Sequence, residues 1–75
     1  MYVLSMLKNT VRVTRVSAPE EVVSEYTIVD GELHWEQGKP LGDVFAREDR
    51  MIQAAGTHGG LLEALTINGT WRTSL

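Results

Sequence analysis

The chain has 75 residues, no cysteine and a formal charge of −3. Its length bounds it to a single domain, residues 1–75, with a thin core that small chains often supplement by oligomerising. The missing cysteine excludes disulfides, thiolate metal sites and a cysteine nucleophile, and the acidic balance argues against a general nucleic-acid binder. The charge is unevenly spread. Residues 1–18 carry Lys8, Arg12 and Arg15 and no acid, whereas residues 19–38 carry Glu20, Glu21, Glu25, Asp30, Glu32 and Glu36 and no base.

Residues 1–7 form an apolar run that reads as a strand with no single core face. Lys8-Asn9 reads as a short turn, with Asn tolerating left-handed geometry. Residues 10–17, TVRVTRVS, alternate: Val11 and Val13 share one face, Arg12 and Thr14 the other. The alternation fails at Arg15-Val16, which predicts a strand end or a bulge. Residues 18–21 read as a connector around Pro19.

The sharpest local signal is Asp30-Gly31, flanked by strands over 22–36. A type I′ turn needs positive φ at both central residues, which Asp and Gly tolerate best. That turn sets Ile28 opposite Leu33 and Tyr26 opposite Trp35, all on one face. Thr27, Val29, Glu32, His34 and Glu36 take the other face. QGKPLG, residues 37–42, then breaks the strand.

Asp43 is the expected cap of a helix over VFAREDRMIQAA, closed by Gly56. Its apolar stripe is Val44, Phe45, Met51, Ile52 and Ala55, with Arg47, Glu48, Asp49, Arg50 and Gln53 turned to solvent. The stripe is expected to cover Tyr26, Ile28, Leu33 and Trp35. GTHGG is a glycine-rich loop. In 61–67, LLEALTI, Ala and Glu favour helix, while length and the following turn favour strand; the strand is the reading adopted. Asn68-Gly69 then signals a second hairpin, pairing Trp71 with Thr66 or Leu65 according to loop length, and 70–75 closes the sheet.

The expected fold is α+β: a small antiparallel sheet of four to six strands in hairpins, with one helix packed on one face. The order is β-β-β-β-α-β-β. Open edges, above all the apolar 1–7, invite homodimerisation.

The chemical motifs are sparse. His34 between Glu32 and Glu36 lacks any recognised ligand spacing, so no metal site is assigned, and no cofactor is implied. GTHGG lacks the Lys-Ser/Thr of a phosphate loop and follows a helix instead of opening one. His58 in that loop is the best-placed catalytic base, with His34 second. The leading function is regulatory or inhibitory, by contact with a protein partner the sequence does not identify. Tyr26, Trp35 and Trp71 would anchor it where exposed, with Glu32 and Glu36 steering. The alternative is a small enzyme or ligand-binding subunit, its site at an oligomer interface and built from His58 or His34 with a carboxylate. A nucleic-acid partner would have to use Lys8, Arg12 and Arg15 against the adjacent acidic run. No apolar run approaches a membrane span or a signal-peptide core, which places the chain in the cytoplasm, or in a host's cytoplasm if virally encoded.

Overall fold

The computed structural model describes residues 1–56 and 59–73. In chain order the elements are β1 (Tyr2–Leu7), β2 (Thr10–Arg15), β3 (Ala18–Val29), β4 (Glu32–Gly38), α1 (Gly42–Ala54), α2 (Gly60–Asn68) and β5 (Thr70–Arg72). The five strands form one antiparallel sheet in the order β4-β3-β2-β1-β5, and the helices pack on one of its faces. The fold is therefore α+β, as the hairpin signals require.

Local turn chemistry sets the meander. Asp30 and Gly31 both have positive φ, 52° and 79°, so the turn between β3 and β4 has the left-handed pair that type I′ geometry needs. Ile28 duly pairs with Leu33 and Tyr26 with Trp35. The β1–β2 turn also falls at Lys8-Asn9, but the left-handed residue is Lys8, with φ 56°. The second strand ends at Arg15, where its alternation fails, and the register shifts on either side of Thr14 come from extra residues on the β3 side of the pairing.

The core lies between the sheet and the helices. Leu4, Val11, Val13 and Tyr26 meet Leu41, Phe45, Ile52, Leu61 and Leu65. Tyr26 and Phe45 pack edge to face, with ring centroids 4.6 Å apart. Full burial of such side chains is worth about 1.5–3 kcal/mol each.

Five expectations are corrected. First, residues 61–67 are helix, not strand. Gly69, with φ 78°, is the left-handed residue that ends α2, and its N–H donates to the Leu65 carbonyl at 2.7 Å. A hairpin turn and a helix stop both ask for positive φ, so Asn68-Gly69 fits either. Second, Trp71 pairs with Leu4 of β1, not with Thr66 or Leu65. Third, because β5 takes the outer side of β1, the apolar first strand is interior, and the edges are β4 and the short β5. Fourth, the connector over 18–21 belongs to β3. Fifth, Leu41 and not Asp43 holds the cap position of α1, without any side-chain cap bond. Leu41 is buried, and its N–H donates to the Tyr26 hydroxyl at 2.6 Å, so the core fixes where the helix begins. Asp43 sits in the first turn, where a carboxylate favours the helix dipole.

No helix among the described residues is long and apolar enough to cross a membrane.

Candidate functional site

α1 and α2 pack against each other through a specific link. Asp49 of α1 accepts the Leu61 N–H at the start of α2, 2.8 Å, through Oδ1, and the Gln53 side-chain amide at 2.9 Å through Oδ2. This gives α2 the N-terminal acceptor that its own Gly59 cap cannot supply. With β5 behind them, the two helices leave a cleft of about 420 Å³.

The cleft is mostly apolar. Met51 and Ile52 of α1, Ala64 and Ile67 of α2 and Trp71 of β5 form its walls. Met51 is 47% exposed and Ile67 72%, so the rim carries large apolar side chains in contact with solvent. Among the described residues, the ionisable groups that line it are both acidic: Glu48 and Glu63. Glu48 is 2% exposed, and its Oε2 accepts the Trp71 indole N–H at 3.1 Å. The expectation that Glu48 faces solvent is thus wrong. Phe45, Glu48 and Ile52 are the buried residues of α1, spaced three and four apart on one helix face. That spacing was present in the sequence; the assumption that a carboxylate must point outward hid it. Met51 and Ala55, placed in the apolar stripe, are exposed instead.

The residues singled out from sequence lie in different places. Tyr26 is 4% exposed and sits in the core, between Phe45 and Leu41, not on the surface. Trp35, on the same face, lies beyond the helical cover and is 53% exposed; its indole N–H donates to the Gly38 carbonyl at 3.2 Å. The helix cover expected for that face therefore reaches Tyr26 but leaves Trp35 open. Trp71 is half-buried in the cleft wall. His34 and Glu32 are exposed on the helix-free face, opposite Thr27 and Val29. Glu36 is exposed at the irregularity where Gln37 comes to pair with Glu25. His34 is therefore on the other side of the sheet from Glu48 and Glu63. His58 lies outside the described residues. Among the described residues, no group of three or more His, Asp or Glu side chains is arranged to hold a metal ion.

No protein-family model matches the chain, and neither a curated protein nor a solved structure matches it.

Proposed function

We propose that the chain is a small regulatory or inhibitory protein that acts by protein–protein contact, seating a segment of its partner in the cleft between α1, α2 and β5. The supporting observation is the cleft itself: apolar walls, a Trp71 flank, and, among the described residues, acidic groups alone in its ionisable lining. Interface energy concentrates where an aromatic side chain lies beside a desolvated pocket. The occupant that fits is an amphipathic basic segment. Its apolar side chain fills the space between Met51, Ile67 and Trp71, and a neighbouring Lys or Arg meets Glu63, which is exposed at the rim.

A titration of the isotope-labelled protein with two designed helical peptides tests this reading. One carries Leu at helical spacing with Lys on the opposite face, the other the same Leu positions with Glu. The Leu/Lys peptide is expected to move the Trp71 indole N–H and Ile67 signals saturably, with no response to Leu/Glu. Ile67→Lys, on an exposed position, should abolish the response without changing the rest of the spectrum. Equal binding of both peptides, or of neither, would overturn the proposal.

A further inference from the structure

The sheet ends on one side at β4. The Ile28 N–H donates to the Asn9 carbonyl at 2.7 Å, on the β2 side, so Ile28 turns its backbone groups away from β4. Opposed residues in an antiparallel ladder exchange either both bonds or none. Leu33, opposite Ile28, therefore turns its own N–H and C=O away from β3. Trp35, two positions on, has the same orientation. Among the described residues no strand lies beyond β4, so the backbone groups of Leu33 and Trp35 have no ladder partner. The regular edge is short: a register shift leaves Glu36 as an extra residue just past Trp35.

The side chains of Leu33 and Trp35 share the helix side of the sheet with Ile28 and Tyr26. Leu33 is half-buried against the core, whereas Trp35 is exposed, its ring held along β4 by the bond to the Gly38 carbonyl. A hollow of about 200 Å³ adjoins Leu33, bounded by Phe45 and Ala46 of α1 and Leu62 of α2. An extended chain laid along β4 thus meets free backbone donors and acceptors and, under every second side chain, an apolar surface.

We infer that this edge takes up an extended segment of another protein as an added antiparallel strand, in which apolar residues alternate with Lys or Arg. Antiparallel pairing continues the existing sheet and is slightly the more stable kind per residue. The preference for a basic segment comes from Asp30, Glu32 and Glu36, all exposed along the edge. Residues 19–38 contain no Lys or Arg, and the next base along the chain is Lys39. The same carboxylates disfavour a second copy of the chain. Antiparallel pairing of two β4 strands centred on Leu33 sets Asp30 opposite Glu36 of the other copy, and centring on His34 sets Glu32 opposite Glu36. Centring on Trp35 carries the ladder into the irregular Glu36–Gln37 step. β4 and β5 are at opposite ends of the strand order, so this edge and the α1–α2–β5 cleft can be occupied independently.

The test is amide hydrogen exchange of the labelled protein with short, end-blocked peptides. One alternates Val with Lys, one Val with Glu, and one is the Val/Lys peptide N-methylated at its Val residues. In the antiparallel pairing Val lies beside Leu33 and Trp35 and its N–H donates to β4, so methylation removes the ladder and keeps the charge. The unmethylated Val/Lys peptide is expected to slow exchange of the Leu33 and Trp35 amides saturably and to leave the Trp71 indole signal unmoved. Glu32→Lys, at an exposed position, should weaken that peptide by roughly threefold or more and improve binding of Val/Glu. Equal protection by Val/Glu, protection that survives methylation, or protection by none of the peptides would overturn the inference. So would protection of Leu33 and Trp35 that rises with protein concentration alone, which would assign the edge to a second copy.

Discussion

The indole N–H of Trp71 donates to the buried carboxylate of Glu48, 3.1 Å away and 23 positions earlier in the chain. This bond ties the final strand to the middle of α1 and shapes one wall of the helix-side cleft. Trp71→Phe keeps most of the packing and removes the donor. It should cost about 2 kcal/mol, the value of a buried hydrogen bond to a charged or strongly polar group, in denaturant unfolding. Combining it with Glu48→Leu should cost less than the two single changes summed, because both changes remove the same bond. A double-mutant cycle with no coupling between the two positions would show that the bond contributes nothing.

Asp49→Ala removes the acceptor for the Leu61 N–H at the start of α2. The expected loss is about 1 kcal/mol, as for other helix N-terminal acceptors, with a local signature. Amide hydrogen exchange should quicken across α2 more than across β2 and β3, since the bond links the two helices and not the strands of the sheet. Uniform acceleration throughout the chain would contradict that local role.

Gly38 and Gly31 both have positive φ, 86° and 79°, yet they should respond very differently to alanine. At Gly31 a Cβ meets nothing, and only the left-handed backbone is penalised, by about 1–2 kcal/mol. At Gly38 a Cβ would run into the Val23 carbonyl oxygen and the Ser24 Cα, both backbone atoms that cannot step aside. Gly38→Ala should therefore cost roughly 3 kcal/mol or more, or prevent β4 from docking. Comparable melting temperatures for the two variants would refute the asymmetry.

Ser24 is 1% exposed, and its hydroxyl has no hydrogen-bond partner among the described residues. Deleting an oxygen in that position removes a desolvated polar group and costs little packing. Ser24→Ala is expected to be neutral or stabilising by up to about 1 kcal/mol, the reverse of the usual effect of truncating a buried side chain. A clear fall in the unfolding midpoint would mean that the hydroxyl is satisfied in solution.

Tyr26→Phe tests how α1 is positioned. The change leaves the ring on Phe45 but strips the acceptor from the buried Leu41 N–H. A loss of about 1–2 kcal/mol should appear in chemical denaturation, with the first turn of α1 exchanging faster than its last.

What could be read from sequence was local. Asp30-Gly31 dictates its own conformation, and two residues of turn chemistry propagate by alternation to Tyr26 and Trp35. The helix over α1 was legible for the same reason, from spacing within a dozen residues. LLEALTI was not, because seven residues make too few turns for periodicity to separate helix from strand, and Asn68-Gly69 suits the end of either. The helix-side cleft escaped entirely. It needs Glu48 to be turned inward, α2 to be a helix and Trp71 to lie beside β1. The first is written in the Phe45, Glu48, Ile52 spacing, but the other two do not follow from neighbours in sequence.

That return has a kinetic side. During synthesis β1 emerges before the other strands described here, and β2 can cover one of its edges almost at once. Its other edge, which runs past the core residue Leu4, must wait until Thr70–Arg72 leave the ribosome. Until β5 forms, the nascent sheet therefore presents an unpaired inner strand, the kind of edge on which chains aggregate. The three short residues of β5 end that exposure.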